Sequence, residues 1–363
     1  MARASFADMD LTSPARPLST AVNAAARLLP RQAALRLCTD ADGLEVAGSD
    51  RDLSVRLACP ATSHTDGEVL VPAAPLAETL KMLDVDQVRL VVEGSRLAVR
   101  VEGARFALPL LDRGALVEPA QPPRLSEVDG ELLAAAVRTV AGTAAKDDPL
   151  PVFTGVRVQS SGDTLVLTAS DRYRMAVARV PLRAAWGPLD VLVPARLLAE
   201  ATRHATGTLT LQADSGHFGL SWAGGTVTTA VLDAGFLSAD AIPSGDVDTE
   251  VELPADALAA AIRRVGVYAE DRRVLTLGVG DAHVRLASTR ADTGEAEETL
   301  KANVCGGRTS PSFQARYLLD ALAPFADSTV RLSIQPGLRA CVLTAAEAQE
   351  VSLTYYLMPM LPR

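Results

Sequence analysis

One helical stripe occurs three times in this chain at nearly even spacing, and that repetition restricts the fold more than any other feature. Leu18, Val22, Ala25 and Leu29 mark the first copy, Leu133, Val137, Val140 and Ala144 the second, and Leu258, Ile262, Val265 and Ala269 the third. Each runs i, i+4, i+7, i+11, which gathers four apolar side chains on one face of an amphipathic helix. The copies begin about 115 and 125 residues apart, long enough for every repeat to hold a core of its own, unlike the short units of a solenoid.

Other markers repeat in step. A second helix signal follows a strand at Val71–Glu78, at Val193–Glu200 and more loosely at Phe313–Asp320. Between the two helices, Gly48-Ser49-Asp50-Arg51 matches Ala169-Ser170-Asp171-Arg172, with Ala287-Ser288-Thr289 at the corresponding point of the third copy. Alternating apolar runs such as Leu35–Val46, Val88–Val101, Thr164–Thr168, Arg174–Val180, Val274–Val279 and Val351–Leu357 read as strands, with Gly43, Gly94 and Gly103 at turns. Two helices covering antiparallel sheet in each repeat make an α+β fold. Pro- and Gly-rich linkers at Ala115–Arg124 and Ser238–Asp248 divide the chain into domains expected at residues 1–124, 125–247 and 248–363.

Composition excludes several classes. The 363 residues are 48% hydrophobic and 22% charged, which suits soluble globular domains rather than a disordered chain. No run approaches the roughly 18 apolar residues of a membrane helix, and the first residues carry no apolar signal core, so a cytoplasmic protein with no membrane partner is expected. Cys38, Cys59, Cys305 and Cys341 are scattered, as are His64, His204, His217 and His283, so neither a metal nor any other cofactor is expected. A net charge of −9 argues against coating nucleic acid with the whole surface, yet leaves room for a local basic stripe.

Enzyme readings fare poorly. Ser170-Asp171 with His217 can be written as a triad and Asp147-Asp148 as a carboxylate pair, but no glycine-framed nucleophile turn supports the first and no partner element the second. A phosphate-binding glycine loop is also missing from the sequence. No catalytic residues and no enzymatic activity are expected.

Leu150-Pro151-Val152-Phe153-Thr154-Gly155-Val156, the run Leu167–Val177 around Ser170-Asp171-Arg172-Tyr173-Arg174-Met175, and Tyr355-Tyr356-Leu357-Met358-Pro359-Met360 together resemble the bacterial DNA polymerase III beta subunit, the sliding clamp. The likeness extends from about Met9 over essentially the whole chain, as that of a divergent member. It implies three tandem clamp domains, and two chains closing head to tail as a homodimeric ring around duplex DNA, with helices lining the hole. It further implies a processivity factor that tethers the DNA polymerase III alpha subunit and other clamp-binding proteins, is placed on DNA by a clamp loader, and works at the nucleoid.

On a wheel of about 100° per residue, offsets of five, nine and thirteen from the first leucine of each stripe point away from the core. They select Asn23, Arg27 and Arg31 in the first repeat, Arg138, Gly142 and Lys146 in the second, and Arg263, beside Arg264, in the third. Residues 11–39 carry four arginines and no acid. Taken alone, such bases are ordinary solvated side chains. With the resemblance, Arg27, Arg31, Arg138, Lys146, Arg196, Arg263 and Arg264 are the expected DNA-facing set, meeting phosphates without reading sequence.

The resemblance also implies a groove between the second and third domains that takes a short hydrophobic, glutamine-containing peptide of each partner. Its residues map onto Phe153, Ser170, Arg172, Tyr173, Arg174, Met175, Pro243, Tyr356, Leu357, Met358, Pro359 and Met360. Here Phe153 stands for a more typical leucine, Arg172 for a small residue and Tyr356 for an aliphatic one, substitutions that narrow the groove. They leave a second reading open: a clamp paralogue acting as a protein-binding module that titrates partners or confers resistance to a clamp-directed antibiotic.

Overall fold

A computed structural model of the chain describes residues 8–40, 42–112, 121–203, 205–236, 247–269, 274–290 and 294–360. Pro243 and most of both linkers lie outside the described residues. The first repeat runs β1 (Asp10–Pro14), α1 (Ala15–Leu28), β2 (Ala34–Asp40), β3 (Gly43–Ser49), β4 (Leu53–Cys59), β5 (Thr62–Thr65), β6 (Glu68–Pro72), α2 (Ala73–Lys81), β7 (Gln87–Glu93), β8 (Arg96–Val101) and β9 (Ala104–Pro109). The second runs β10 (Arg124–Asp129), α3 (Gly130–Thr143), the single turn α4 (Pro151–Thr154), β11 (Gly155–Ser161), β12 (Thr164–Ser170), β13 (Arg174–Ala185), β14 (Asp190–Pro194), α5 (Ala195–Arg203), β15 (Thr208–Ala213), β16 (His217–Trp222) and β17 (Gly225–Ala230). The third runs β18 (Thr249–Pro254), α6 (Ala255–Val265), β19 (Val274–Val279), β20 (His283–Arg290), β21 (Gly294–Lys301), β22 (Asn303–Gly306), β23 (Ser312–Gln314), α7 (Ala315–Leu322), β24 (Thr329–Ile334), β25 (Cys341–Ala345) and β26 (Ser352–Leu357).

The threefold repeat persists down to single hydrogen bonds. In each copy a strand leads straight into the long helix, and the first helical amide donates to a carbonyl just ahead of the strand that follows the second helix. These bonds are Ala15 N to Asp86 O at 2.9 Å, Gly130 N to Gly207 O at 2.8 Å and Ala255 N to Ser328 O at 3.0 Å. The strand pairs are correspondingly β1 with β7, β10 with β15 and β18 with β24, all antiparallel. All twelve residues of the apolar stripes are buried, and each leucine in them contributes roughly 1.5–3 kcal/mol by leaving water.

Contacts divide the chain into two compact units, Met1–Ala134 with Leu182–Val231, and Ala135–Pro181 with Leu232–Arg363. In the first unit β5-β1-β7-β8-β9 form a five-stranded sheet. A second sheet there runs from β6 through β2, β3 and β4 into β17, β16, β15 and β10. The first and second repeats are therefore joined by a shared ladder, with Val55 opposite Val227. The second unit holds the four-stranded sheet β21-β20-β19-β23. Its other sheet runs β11, β12, β13, β26, β25, β24, β18, β22. There the second repeat meets the third, strand against strand.

Helix ends correct part of the wheel argument. α1 stops at Leu28 and α3 at Thr143, so Arg31 and Lys146 lie in the following turns and their directions are not those of a continued helix. Pro30 within the turn, and the extended backbone of Leu29 (ψ 160°), end α1.

Candidate functional site

The site is built on the β12–β13 turn. Asp171 Oδ1 accepts the amides of Tyr173 and Arg174, both at 3.1 Å, and Asp171 N donates to Arg174 O at 3.2 Å. This is the hydrogen-bonding habit that makes aspartate a turn former. The matching sequence marker in the first repeat folds alike: Asp50 Oδ1 accepts from Asp52 and Leu53, each at 2.8 Å. Ser170 Oγ donates to Arg174 O at 2.9 Å and accepts Arg172 N at 3.2 Å. Arg172 is held at φ 77°, the left-handed region that costs a side chain roughly 1–2 kcal/mol.

The last strand supplies the facing wall. β26 lies between β13 and β25, with Arg174 opposite Leu357 and Met175 opposite Tyr356. Beyond it the backbone stays tethered, Met358 N donating to Tyr173 O at 2.9 Å and Met360 N to Ser312 O at 2.7 Å. Met175 and Leu357 are buried, Phe153 and Tyr356 half-buried, and Tyr173 and Met358 exposed at 59% and 43%. Thus Ser170, Arg172, Tyr173, Arg174, Met175, Tyr356, Leu357 and Met358 come together in the second unit, and Phe153 joins through Arg172, whose guanidinium lies 4.4 Å from its ring centroid. Pro359 and Met360 continue the same wall, while Pro243 lies outside the described residues.

The two arginines of the turn differ in environment. Arg174 donates to Asp171 Oδ2 (2.9 Å), Asp320 Oδ2 (2.6 Å), Tyr355 Oη (3.2 Å) and Gly142 O (3.2 Å), and lies over the Tyr317 ring at 4.7 Å. Burial pulls its pKa down, but Tyr355, Asp171 and Asp320 outweigh that and raise it above the ordinary arginine value. Burial likewise raises the Tyr355 phenol, against the opposing pull of Arg174. Among the described residues Arg172 makes one ion pair, Nη2 to Asp148 Oδ1 at 2.9 Å, and its side chain remains 47% exposed.

Sequence reasoning missed Asp148, Tyr317, Asp320 and Tyr355 as members of this cluster. Asp171, Gly142 and Asp148 were visible only in other capacities. Asp148 is engaged locally, accepting Leu150 N at 2.9 Å. The formal triad is equally committed elsewhere, since Ser170 stabilises its own turn and His217 Nδ1 lies 3.5 Å from Asp214. Tyr317 stacks on Tyr173 with centroids 6.1 Å apart, and the Arg316 guanidinium lies 4.5 Å from the Tyr317 centroid. No periodicity marks that contact beforehand.

The expected DNA-facing bases are all exposed. Arg138, Lys146, Arg196 and Arg263 have no ion-pair partner among the described residues, whereas Arg27 approaches Glu200 at 3.4 Å and Arg31 approaches Glu78 at 4.0 Å. Arg264 is engaged: its guanidinium makes two bonds to Glu298, at 3.0 and 2.5 Å, and so is turned to β21. Arg16 and Lys81, which the wheel did not select, join Arg27 around an open hollow of about 730 Å³ beside α1 and the end of α2. Among the described residues no cluster of three metal-ligating side chains occurs, and no helix is long and apolar enough to cross a membrane.

Comparison with known proteins gives one consistent likeness. The DNA polymerase III beta subunit N-terminal domain matches residues 17–116, its central domain 127–237 and its C-terminal domain 240–361. The beta sliding clamp of Streptomyces coelicolor is 29% identical, across 94% of this chain and 96% of that one. The beta sliding clamp homolog GriR of Streptomyces muensis is 27% identical, across 88% and 89%. The crystal structure of the DNA polymerase III beta subunit from Thermotoga maritima superposes with a TM-score of 0.89 at 20% identity, covering 98% of this chain and all of that one.

Proposed function

This chain belongs to the DNA polymerase III beta subunit family, and from that premise we propose that it is a sliding clamp, a polymerase processivity factor that encircles duplex DNA. The observation that carries the ring is a pair of unmatched sheet edges. β9 ends the five-stranded sheet and β21 ends the four-stranded one. The β8–β9 hairpin brings Arg96, with Arg100 and Arg105 that share Glu93, and β21 brings Glu295, with Glu297 and Glu298 that pair with Arg285 and Arg264. Exposed apolar side chains accompany them, Phe106 by β9 and Val267 and Tyr268 near β21. An edge of each kind on one chain favours head-to-tail pairing with a second copy, and closure after two chains leaves neither edge open.

Within such a ring, Arg27, Arg31, Arg138, Lys146, Arg196 and Arg263 would meet phosphates, giving salt-dependent attraction without sequence preference. The domains fall at residues 1–124, 125–247 and 248–363. The groove of Phe153, Ser170, Arg172–Met175 and Tyr356–Met360 receives partner peptides, among them those of the polymerase alpha subunit, and a clamp loader opens the ring. Methionine at positions 175, 358 and 360 suits a surface that must adapt to several partners. The chain performs no chemistry of its own and acts in the cytoplasm, at the nucleoid.

The deciding experiment is retention on nicked circular DNA in the presence of clamp loader and ATP, compared with the same DNA after linearisation. Retention that disappears on linearisation is expected. Failure to stay on either form, with the loader active on a control clamp, would favour the second reading, a paralogue that binds proteins without loading. The placement of Arg172 over Phe153, together with the likeness to GriR, is the observation on that side.

A further inference from the structure

We propose that Arg172 is a latch over the Phe153 ring that selects peptides carrying a carboxylate beside their apolar anchors. The inference rests on the reading of this groove as a peptide pocket. Three observations support it. The guanidinium stacks 4.4 Å from the Phe153 centroid, covering the apolar face an incoming side chain would use. It is tied at 2.9 Å to Asp148, and Asp148 accepts the amide of Leu150, so the latch is fastened to the segment that leads into the Phe153 turn. The residue also sits at φ 77°, a backbone geometry that glycine adopts without cost and arginine does not.

The latch is built to move. Arg174 has three polar side-chain partners, a backbone carbonyl and a ring, and is fixed. Arg172 has one carboxylate and one ring, and almost half its side chain is in water. An ion pair that exposed holds weakly. When an apolar anchor takes the Phe153 face, the guanidinium must leave it. A carboxylate on the same peptide gives the displaced charge a second partner, whereas with a neutral peptide it keeps only Asp148 and loses the ring without replacement. The stacking lost on entry corresponds to about a tenfold affinity penalty for a neutral peptide.

The test is fluorescence anisotropy on the full chain with two labelled peptides, each carrying a glutamine and two leucines and differing only in aspartate or asparagine between the leucines. Wild type should prefer the aspartate peptide several-fold. Arg172→Gly, whose new residue suits the backbone at that position, should bind the asparagine peptide about tenfold more tightly than wild type does and lose the preference. Asp148→Asn keeps an acceptor for Leu150 while weakening the tie, and should tighten binding of both peptides. Equal affinities of wild type and Arg172→Gly for each peptide would overturn the latch while leaving the pocket intact. Binding that survives truncation after Leu357 would sink the pocket reading, and the latch with it.

Discussion

At the scale of single residues, the decisive contrast is between a side chain that is spent and one that is available. Arg174 joins the β12–β13 turn, α3, α7 and β26 through Asp171, Gly142 O, Asp320 and Tyr355. Arg174→Ala would leave the largely buried Asp171 carboxylate and the Tyr355 hydroxyl short of their partner, and should cost about 3 kcal/mol in urea unfolding. An unchanged midpoint would show the network to be dispensable. Cys341 gives a pH test. Its thiol is buried and pushed from 9.0 up to about 12. A raised folded-state pKa means that its contribution to stability is complete below about pH 9 and is lost as pH rises toward 12. The urea midpoint of wild type should therefore fall more steeply across that window than that of Cys341→Ala; parallel curves would refute it.

At the scale of elements, the proposed ring turns on the edge strands β9 and β21. Phe106 is 40% exposed on β9, the terminal strand of its sheet. Phe106→Asp places a charge in the proposed interface and should weaken dimerisation at least about thirtyfold, as expected for loss of a buried aromatic anchor. Light scattering across a dilution series reads it, and an unaltered mass would move the interface elsewhere. The acceptor edge was the element least legible in sequence. β21 reads Gly-Glu-Ala-Glu-Glu-Thr-Leu-Lys, with no apolar alternation, because its side chains range from half-buried to exposed and its backbone is ordered by β20. The helical stripes were legible through their first three positions, whereas the fourth of each, Leu29, Ala144 and Ala269, is buried but lies past the end of α1, α3 and α6. Their outward faces were legible only as far as the helices run, which is why Arg31 and Lys146 fell into turns.

At the scale of the whole molecule, repetition was readable because each copy must satisfy the same core and the same junction hydrogen bonds. The Asp50 and Asp171 turns were readable for the same reason. What sequence could not supply was the company kept by Arg172 and Arg174. Asp148 lies 24 residues from Arg172 within the same repeat, and Tyr317, Asp320 and Tyr355 reach the turn only when the second and third repeats share a sheet. That shared sheet also imposes an order in time. β13 needs β26 as a neighbour, and β26 is translated about half a chain later. A ribosome that has finished the Phe153 turn and the Ser170–Met175 loop has made only one wall of the groove. If partner peptides enter the proposed groove, a nascent chain lacks one of its walls until β26 has emerged to pair with β13, and recruitment then waits for the finished molecule.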